Sequence, residues 1–335
     1  MKQLLIGFLG ISVFLGGCAA PKTTPEAQVN VYSARHYDVD QAILADFESE
    51  TGIKVNLIEG TAAELLVRLE REKEDPVADV FITVGAENLS QALQEEVLAD
   101  LPALTGLEAV ESTLKGMKWV GITQRARVIV YDKTRTTPTL STYEELADPQ
   151  YANQILVRSS TSSYNLAWVS DLIQRNGVSL TATWADGVVR NFARVPTGND
   201  RDQAKGVVAG LGTYAILNTY YLALLANSAD PLEVAVAAKL GVIFPQDTHV
   251  NLSWAGIVNG AKNPNAAQAL IEYLLSVESQ TRYTEDNGEY PVRRDVEPSD
   301  FLKALGELPA YAADYERLGE RSLEALTLFD AVRWP

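Results

Sequence analysis

The 335-residue chain is long enough for two ordinary domains, and its 47% hydrophobic and 21% charged content is that of a folded, water-soluble protein. A net charge of −16 leaves no basic face for phosphates and excludes nucleic acid as a partner. Cys18 is the only cysteine, which excludes a disulfide framework.

The N-terminus reads as a targeting segment. Met1-Lys2-Gln3 is a short basic start, and the apolar run from Leu4 to Gly17 is too short to span a bilayer comfortably. The run ends in Leu15-Gly16-Gly17-Cys18, a tetrad that resembles a bacterial lipobox, where a signal peptidase cuts before the cysteine and a lipid is attached to it. Residues 1–17 are therefore expected to be a lipoprotein signal peptide and 18–28 a Thr/Pro-rich tether. The mature chain is expected in the periplasm or at the cell surface, held to the membrane by a lipid on Cys18.

From residue 29 strand and helix patterns alternate. Val29 to Ser33 reads as a strand, and Val39, Ala42, Ile43 and Phe47 then recur at helical spacing up to Thr51-Gly52. Ile53 to Ile58 is a second strand, Ala62 to Lys73 a helix with Leu65, Leu66 and Leu69 on one face, and Ala78 to Thr83 a third strand. This run implies a mostly parallel, doubly wound sheet. A long strand pattern follows from Trp119 to Tyr131. Further alternation comes from Ile155–Arg158, Leu166–Ile173, the stretch "NTYYLALL" at 218–225, Val242–Phe244, 248–258 and Ala266–Leu275. Two α/β lobes joined by crossing strands fit this order.

Enzyme signatures are missing: no phosphate-cradling glycine loop, no nucleophile elbow and no His-Glu-x-x-His, with His36 and His249 the only imidazoles. The chain therefore reads as a binder. In open α/β sheets ligands sit beyond the carboxyl ends of the strands. Those ends carry Arg35-His36-Tyr37, Ser159 through Ser163 with Tyr164-Asn165, and Asn218-Thr219-Tyr220-Tyr221. Several phenols and one imidazole form a hard, oxygen-rich set suited to a small, highly charged cation such as Fe(III). Ionising a phenol at pH 7 costs about 4 kcal/mol, so four cost roughly 16 kcal/mol, and only a strong Lewis acid offsets that. A helix start beneath Tyr220 and Tyr221 is expected to help through its dipole. Four phenolates on a trivalent ion leave one negative charge, for which Arg125 and Arg127 are candidate counter-cations.

These residues sit in motifs that resemble the ferric-iron-binding substrate-binding proteins of bacterial iron ABC importers, and most closely their FutA-like subgroup. The resemblance runs over nearly the whole mature chain and rests on "NVYSARHYDVD", "ADVFITV", "QRARVIVYDK", "VRSSTSSYN", "NFARVPTGND", "NTYY", "THVNLSWAGIV" and "NGEYPV". It implies an α/β, two-lobed periplasmic-binding-protein (type 2) fold with crossing hinge strands that closes on Fe(III). It also implies metal ligands at His36, Tyr37, Tyr164, Tyr220 and Tyr221, with Arg127 offsetting charge or holding a synergistic anion such as carbonate. Some branches carry a metal-binding Glu just after the "ADVF" strand; here Ile82-Thr83-Val84-Gly85 has no carboxylate. The expected lobes are 29–125 with 245–296, and 126–244 with 297–335. The expected partner is an iron ABC-transporter permease, served by a monomer that carries the ion without catalysis.

Two other readings use the same residues. A small organic molecule or oxyanion would stack on the tyrosines and pair with Arg127. An enzyme would use a tyrosine with His36 as acid and base, yet no cofactor motif accompanies them.

Overall fold

The structure, a computed structural model, describes residues 27–309 and 313–335, so the expected signal peptide, Cys18 and nearly all of the tether lie outside the described residues. The first lobe opens with β1 (Gln28–Ser33), α1 (Asp38–Thr51), β2 (Lys54–Glu59), α2 (Ala62–Arg71), β3 (Val80–Val84) and α3 (Ala86–Gln94). Helix α1 buries Val39, Ile43, Leu44 and Phe47 and stops at Gly52, while Thr61 caps α2 by accepting from the Glu64 N–H. Each helix crosses back over the sheet, so β1 pairs parallel with both β2 and β3.

The long strand β4 (Val120–Asp132) leads into the second lobe. There follow β5 (Ile155–Leu156), α4 (Ser163–Asn176), α5 (Val178–Arg190), α6 (Asp200–Val208), β6 (Tyr214–Asn218), α7 (Tyr220–Ala226), α8 (Pro231–Lys239) and β7 (Leu240–Ile243). Strand β8 (Val250–Ile257) returns the chain, and α9 (Pro264–Leu274), α10 (Val277–Asn287), α11 (Asp300–Leu305), α12 (Tyr315–Glu320) and α13 (Ser322–Ala331) complete it.

The strand order is β2-β1-β3-β8-β4-β6-β5, with β7 also on β4. The sheet is more mixed than the alternating pattern implies. Only β1–β2, β1–β3 and β5–β6 are parallel; β8 lies antiparallel to β3 and β4, and β4 antiparallel to β6 and β7. The cause is connectivity: β4 and β8 carry the chain out of one lobe and back, so they run in opposite directions side by side. Strand β4 pairs with β8 from Val120 to Ala126 and with β6 from Arg127 onward. Arg125 and Arg127 therefore flank the point where the chain changes lobes.

One buried cluster, built around Val31, Phe81, Trp254 and Leu270, fills the first lobe. Two clusters fill the second, one around Trp168, Ile216 and Phe329 and one around Val128, Leu217 and Leu302. The C-terminal segment divides between the lobes rather than lying wholly in the second, as expected for 297–335. Tyr315 and Leu318 of α12 join the first core, and Ala325, Leu328 and Phe329 of α13 join the second. Helix α12 is drawn to the first lobe by Trp119 Nε1, which donates to Glu316 Oε1 at 2.8 Å, and by Tyr315, whose hydroxyl donates to the Val250 carbonyl at 3.0 Å.

Candidate metal centre

Three loops at strand ends converge between the lobes, and each carries phenol. Tyr37 precedes α1, Tyr164 lies in the first turn of α4, and Tyr220 and Tyr221 open α7. The Tyr220 hydroxyl is the hub. It receives a hydrogen bond from the Tyr37 hydroxyl at 3.4 Å and shares one with the Tyr164 hydroxyl at 3.2 Å. Tyr221 lies against its neighbour, ring centroids 4.1 Å apart and 35° between planes, and meets the edge of Tyr164 at 6.4 Å. Adjacent rings at a helix start thus reach one side, which explains two consecutive tyrosines where a helix interior would turn them about 100° apart. At seven residues, α7 is too short for much of the dipole assistance expected of it.

His36 is exposed at the rim, its ring stacked 5.7 Å from that of Tyr37, and lines the same cleft of about 440 Å³ as Tyr37 and Tyr164. His249, the other imidazole, is elsewhere and buried, with Nδ1 3.0 Å from Asp171 Oδ2. Among the described residues no group of three or more His, Cys, Asp or Glu could hold a metal ion, so acidic cages are absent from them.

Guanidinium groups surround the phenols. Arg35 lies 4.9 Å from the Tyr37 ring centroid and Arg125 lies 5.2 Å from that of Tyr220, while Arg125 Nη1 donates to the Tyr164 hydroxyl at 3.3 Å. Arg127 and Arg158 lie 5.9 and 5.7 Å from the Tyr164 ring. Arg127, the counter-cation implied by the resemblance, donates to Asp200 Oδ2 at 2.7 Å and to Asn165 Oδ1 at 2.8 Å. Of these two arginines, Arg125 is the one whose guanidinium donates to a phenol of the cluster.

Glu289, from "NGEYPV", is the residue that sequence reasoning missed. It is fully buried and holds Arg35 at 2.8 Å and Arg125 by a second short ion pair, with further bonds from Thr123 at 2.9 Å and Asn287 at 2.8 Å. Burial alone would push its carboxyl up; Arg125 and Arg35 outweigh that and hold it at about 2. A charged residue two positions beyond the end of an acidic helix gives no sequence signal of burial; only the buried arginines demand it.

Burial raises Tyr37, Tyr220 and Tyr221, and the neighbouring Tyr164 raises them further, while Arg125 works against the shift at Tyr37 and Tyr220. Without a cation these three phenols are neutral at physiological pH. A hard, multiply charged ion placed among them would replace their protons.

The sequence matches the family of bacterial extracellular solute-binding proteins over residues 42–310. Iron uptake protein A1 of Synechocystis is 38% identical over 338 aligned positions, covering 96% of this chain and 94% of that protein. The structure of Trichodesmium FutA in complex with iron and citrate is similar with a TM-score of 0.87 at 40% identity, across 92% of this chain and 100% of that one. The ferric binding protein from Campylobacter jejuni is similar at a TM-score of 0.86 and 37% identity, with the same coverage of 92% and 100%.

Proposed function

Because this chain belongs to the bacterial extracellular solute-binding proteins, we propose that it captures ferric iron between its lobes and delivers it to an ABC-transporter permease. The ligands in this reading are the phenolates of Tyr37, Tyr164, Tyr220 and Tyr221, with His36 at the rim as the fifth. The observation that carries it is the meeting of Tyr37 and Tyr164 on the Tyr220 hydroxyl, within 3.4 and 3.2 Å, from loops of both lobes.

Charge supports the ion. Arg35, Arg125, Arg127 and Arg158 bring four positive charges, and their partners Asp40, Asp200 and Glu289 bring three negative ones. The surplus of one matches the single negative charge of four phenolates on a trivalent ion. Balance is reached without a carbonate-like anion, and Arg127, whose bonds go to Asp200 and Asn165, is poorly placed to hold one. Ionising each phenol costs at least about 4 kcal/mol at pH 7, so a weak Lewis acid is rejected by the chemistry of the donors.

Binding closes the lobes because the ligands come from both: Tyr37 belongs to the first and Tyr164, Tyr220 and Tyr221 to the second. An ion that bridges them stabilises only the closed state, which is the form a permease would read. The carrier works in the periplasm or at the cell surface as a monomer, tethered through a lipid on Cys18.

Ferric iron added to the purified protein should produce a phenolate-to-iron charge-transfer band, orange to red. Tyr220→Phe and Tyr164→Phe should weaken binding by more than about 100-fold, the upper range for losing even an outer-shell partner, while His36→Ala should cost less. A colourless protein, or tyrosine variants with parental affinity, would leave the organic-ligand or oxyanion reading in its place.

A further inference from the structure

The loop that presents Tyr164 is supported from a part of the chain far away in sequence. Strand β5, which leads into the loop, is only two residues long, so little sheet steadies the backbone from Arg158 to Ser163. Hydrogen bonds hold it instead. Asn165 Nδ2 donates to the carbonyls of Arg158 and Ser159 at 2.7 and 3.1 Å. The Trp334 indole donates to the same Arg158 carbonyl at 3.2 Å, across 176 positions of sequence, and the Ser160 N–H donates to the Pro335 carbonyl at 2.6 Å. Asn165 ties the loop to α4; Trp334 ties it to the aromatic core of the lobe. The indole is itself fixed. It is 3% exposed and packs on Phe192, Phe329 and Trp184, with ring centroids 5.1, 5.2 and 6.5 Å away. The turn after α13 delivers it: Arg333 takes φ of 56°, a left-handed conformation uncommon outside glycine, and the Trp334 N–H donates to the Phe329 carbonyl at 2.9 Å.

From this arrangement, and resting on the ferric reading above, we propose that Trp334 is a positioning residue for the metal centre: its indole N–H fixes the Arg158 carbonyl, and with it the loop that presents the Tyr164 phenolate. A ligand on a loop must be held within about 0.5 Å of its productive place, which takes support from locked, packed side chains behind it. Tyr164 meets the Tyr220 hydroxyl at 3.2 Å and Arg125 Nη1 at 3.3 Å, so a shift of the loop disturbs the hub of the cluster. Trp334 acts only through the Arg158 carbonyl and need not touch the ion.

The test uses the intact protein, with added ferric iron followed by the charge-transfer band and folding by circular dichroism. Trp334→Phe keeps an aromatic ring in the cluster and removes the N–H. Ser160→Pro removes the second tie at the second position of the Ser159–Ser162 turn, a place that suits proline; the Ser162 N–H closes that turn on the Ser159 carbonyl at 3.1 Å. Val188→Ala opens a cavity in the same buried cluster and takes part in neither tie. The first two variants should bind iron about 10-fold more weakly, the usual loss when a group supporting a metal ligand is removed, and should shift the band maximum. Val188→Ala should melt at a lower temperature with parental affinity and band. Parental affinity and band in folded Trp334→Phe and Ser160→Pro would overturn the proposal while leaving ferric binding intact, and so would equal weakening in Val188→Ala. A wild type that never acquires the band would overturn both.

Discussion

Replacing Glu289 with Gln should separate the stability of the fold from its hold on iron. The carboxylate is fully buried between Arg35 and Arg125, themselves 1% and 0% exposed. Its carboxyl stands at about 2 against an ordinary value of 4.5. A depression of that order corresponds to about 3 kcal/mol. Because the folded-state value is depressed, this stability is fully present above the unfolded value and is lost as pH falls through about 2. Breaking a buried pair by removing one partner costs about 3–5 kcal/mol, so both routes give the same scale. Iron-free Glu289→Gln should accordingly melt roughly 6 °C or more lower at pH 7. Iron should respond in the other direction. Glu289 is one of the charges that raise Tyr37, so its loss favours the phenolate, and the pH at which iron colour develops should move down. Thermal melts of the iron-free protein and absorbance against pH of the loaded protein measure the two effects. Unchanged melting, or a colour edge displaced upward, would refute the assignment of Glu289 as counter-charge to the arginines.

Three further outcomes follow from the same physics. Burial raises Tyr37, Tyr220, Tyr283 and Tyr315, so their contribution is intact below the ordinary tyrosine value of about 10 and is lost as pH climbs above it; circular dichroism should show iron-free protein losing structure above about pH 10, and full structure retained well beyond that would count against neutral buried phenols. Asp200→Asn removes the buried partner of Arg127 at 2.7 Å and the acceptor for the Asn218 N–H at 2.9 Å, and urea unfolding should report a loss of about 3–5 kcal/mol. Gly319→Ala places a methyl 2.1 Å from the Ala86 carbonyl oxygen, where α12 crosses α3. The cost should be about 1–3 kcal/mol, with altered fluorescence from Trp119, whose indole binds Glu316 on the displaced helix.

The elements with a strong period were legible from sequence alone. The buried stripe of α1, the Leu65–Leu66–Leu69 face of α2 and the thirteen-residue strand β4 all stand where the patterns put them. Direction was not legible: an antiparallel return strand such as β8 is a continuous apolar run like any parallel one, and only the tertiary path fixes its sense. The four tyrosines were visible because strand ends in α/β folds point to a cleft, and the structure brings Tyr37, Tyr164, Tyr220 and Tyr221 together. The choice between Arg125 and Arg127 was not visible. Two residues apart on one strand, they share a face, and their roles are set by Glu289 and Asp200, distant in sequence.

The buried ion lattice also explains why the arginines do not displace the metal they accompany. A free guanidinium beside a phenolate would form its own charge-assisted hydrogen bond and compete with a cation for the oxygen. Here Arg35 is bound by Asp40 and Glu289, Arg125 by Glu289, and Arg127 by Asp200 and Asn165. Most of their donors are already occupied, and Arg125 spares one, at 3.3 Å, for the Tyr164 hydroxyl. The phenols therefore experience positive potential without being captured by it. In the absence of iron this potential is too weak to overcome burial at Tyr37 and Tyr220, which stay protonated and hydrogen-bonded to one another. A trivalent ion adds the attraction the arginines withhold, and the single surplus positive charge of the lattice then balances the complex.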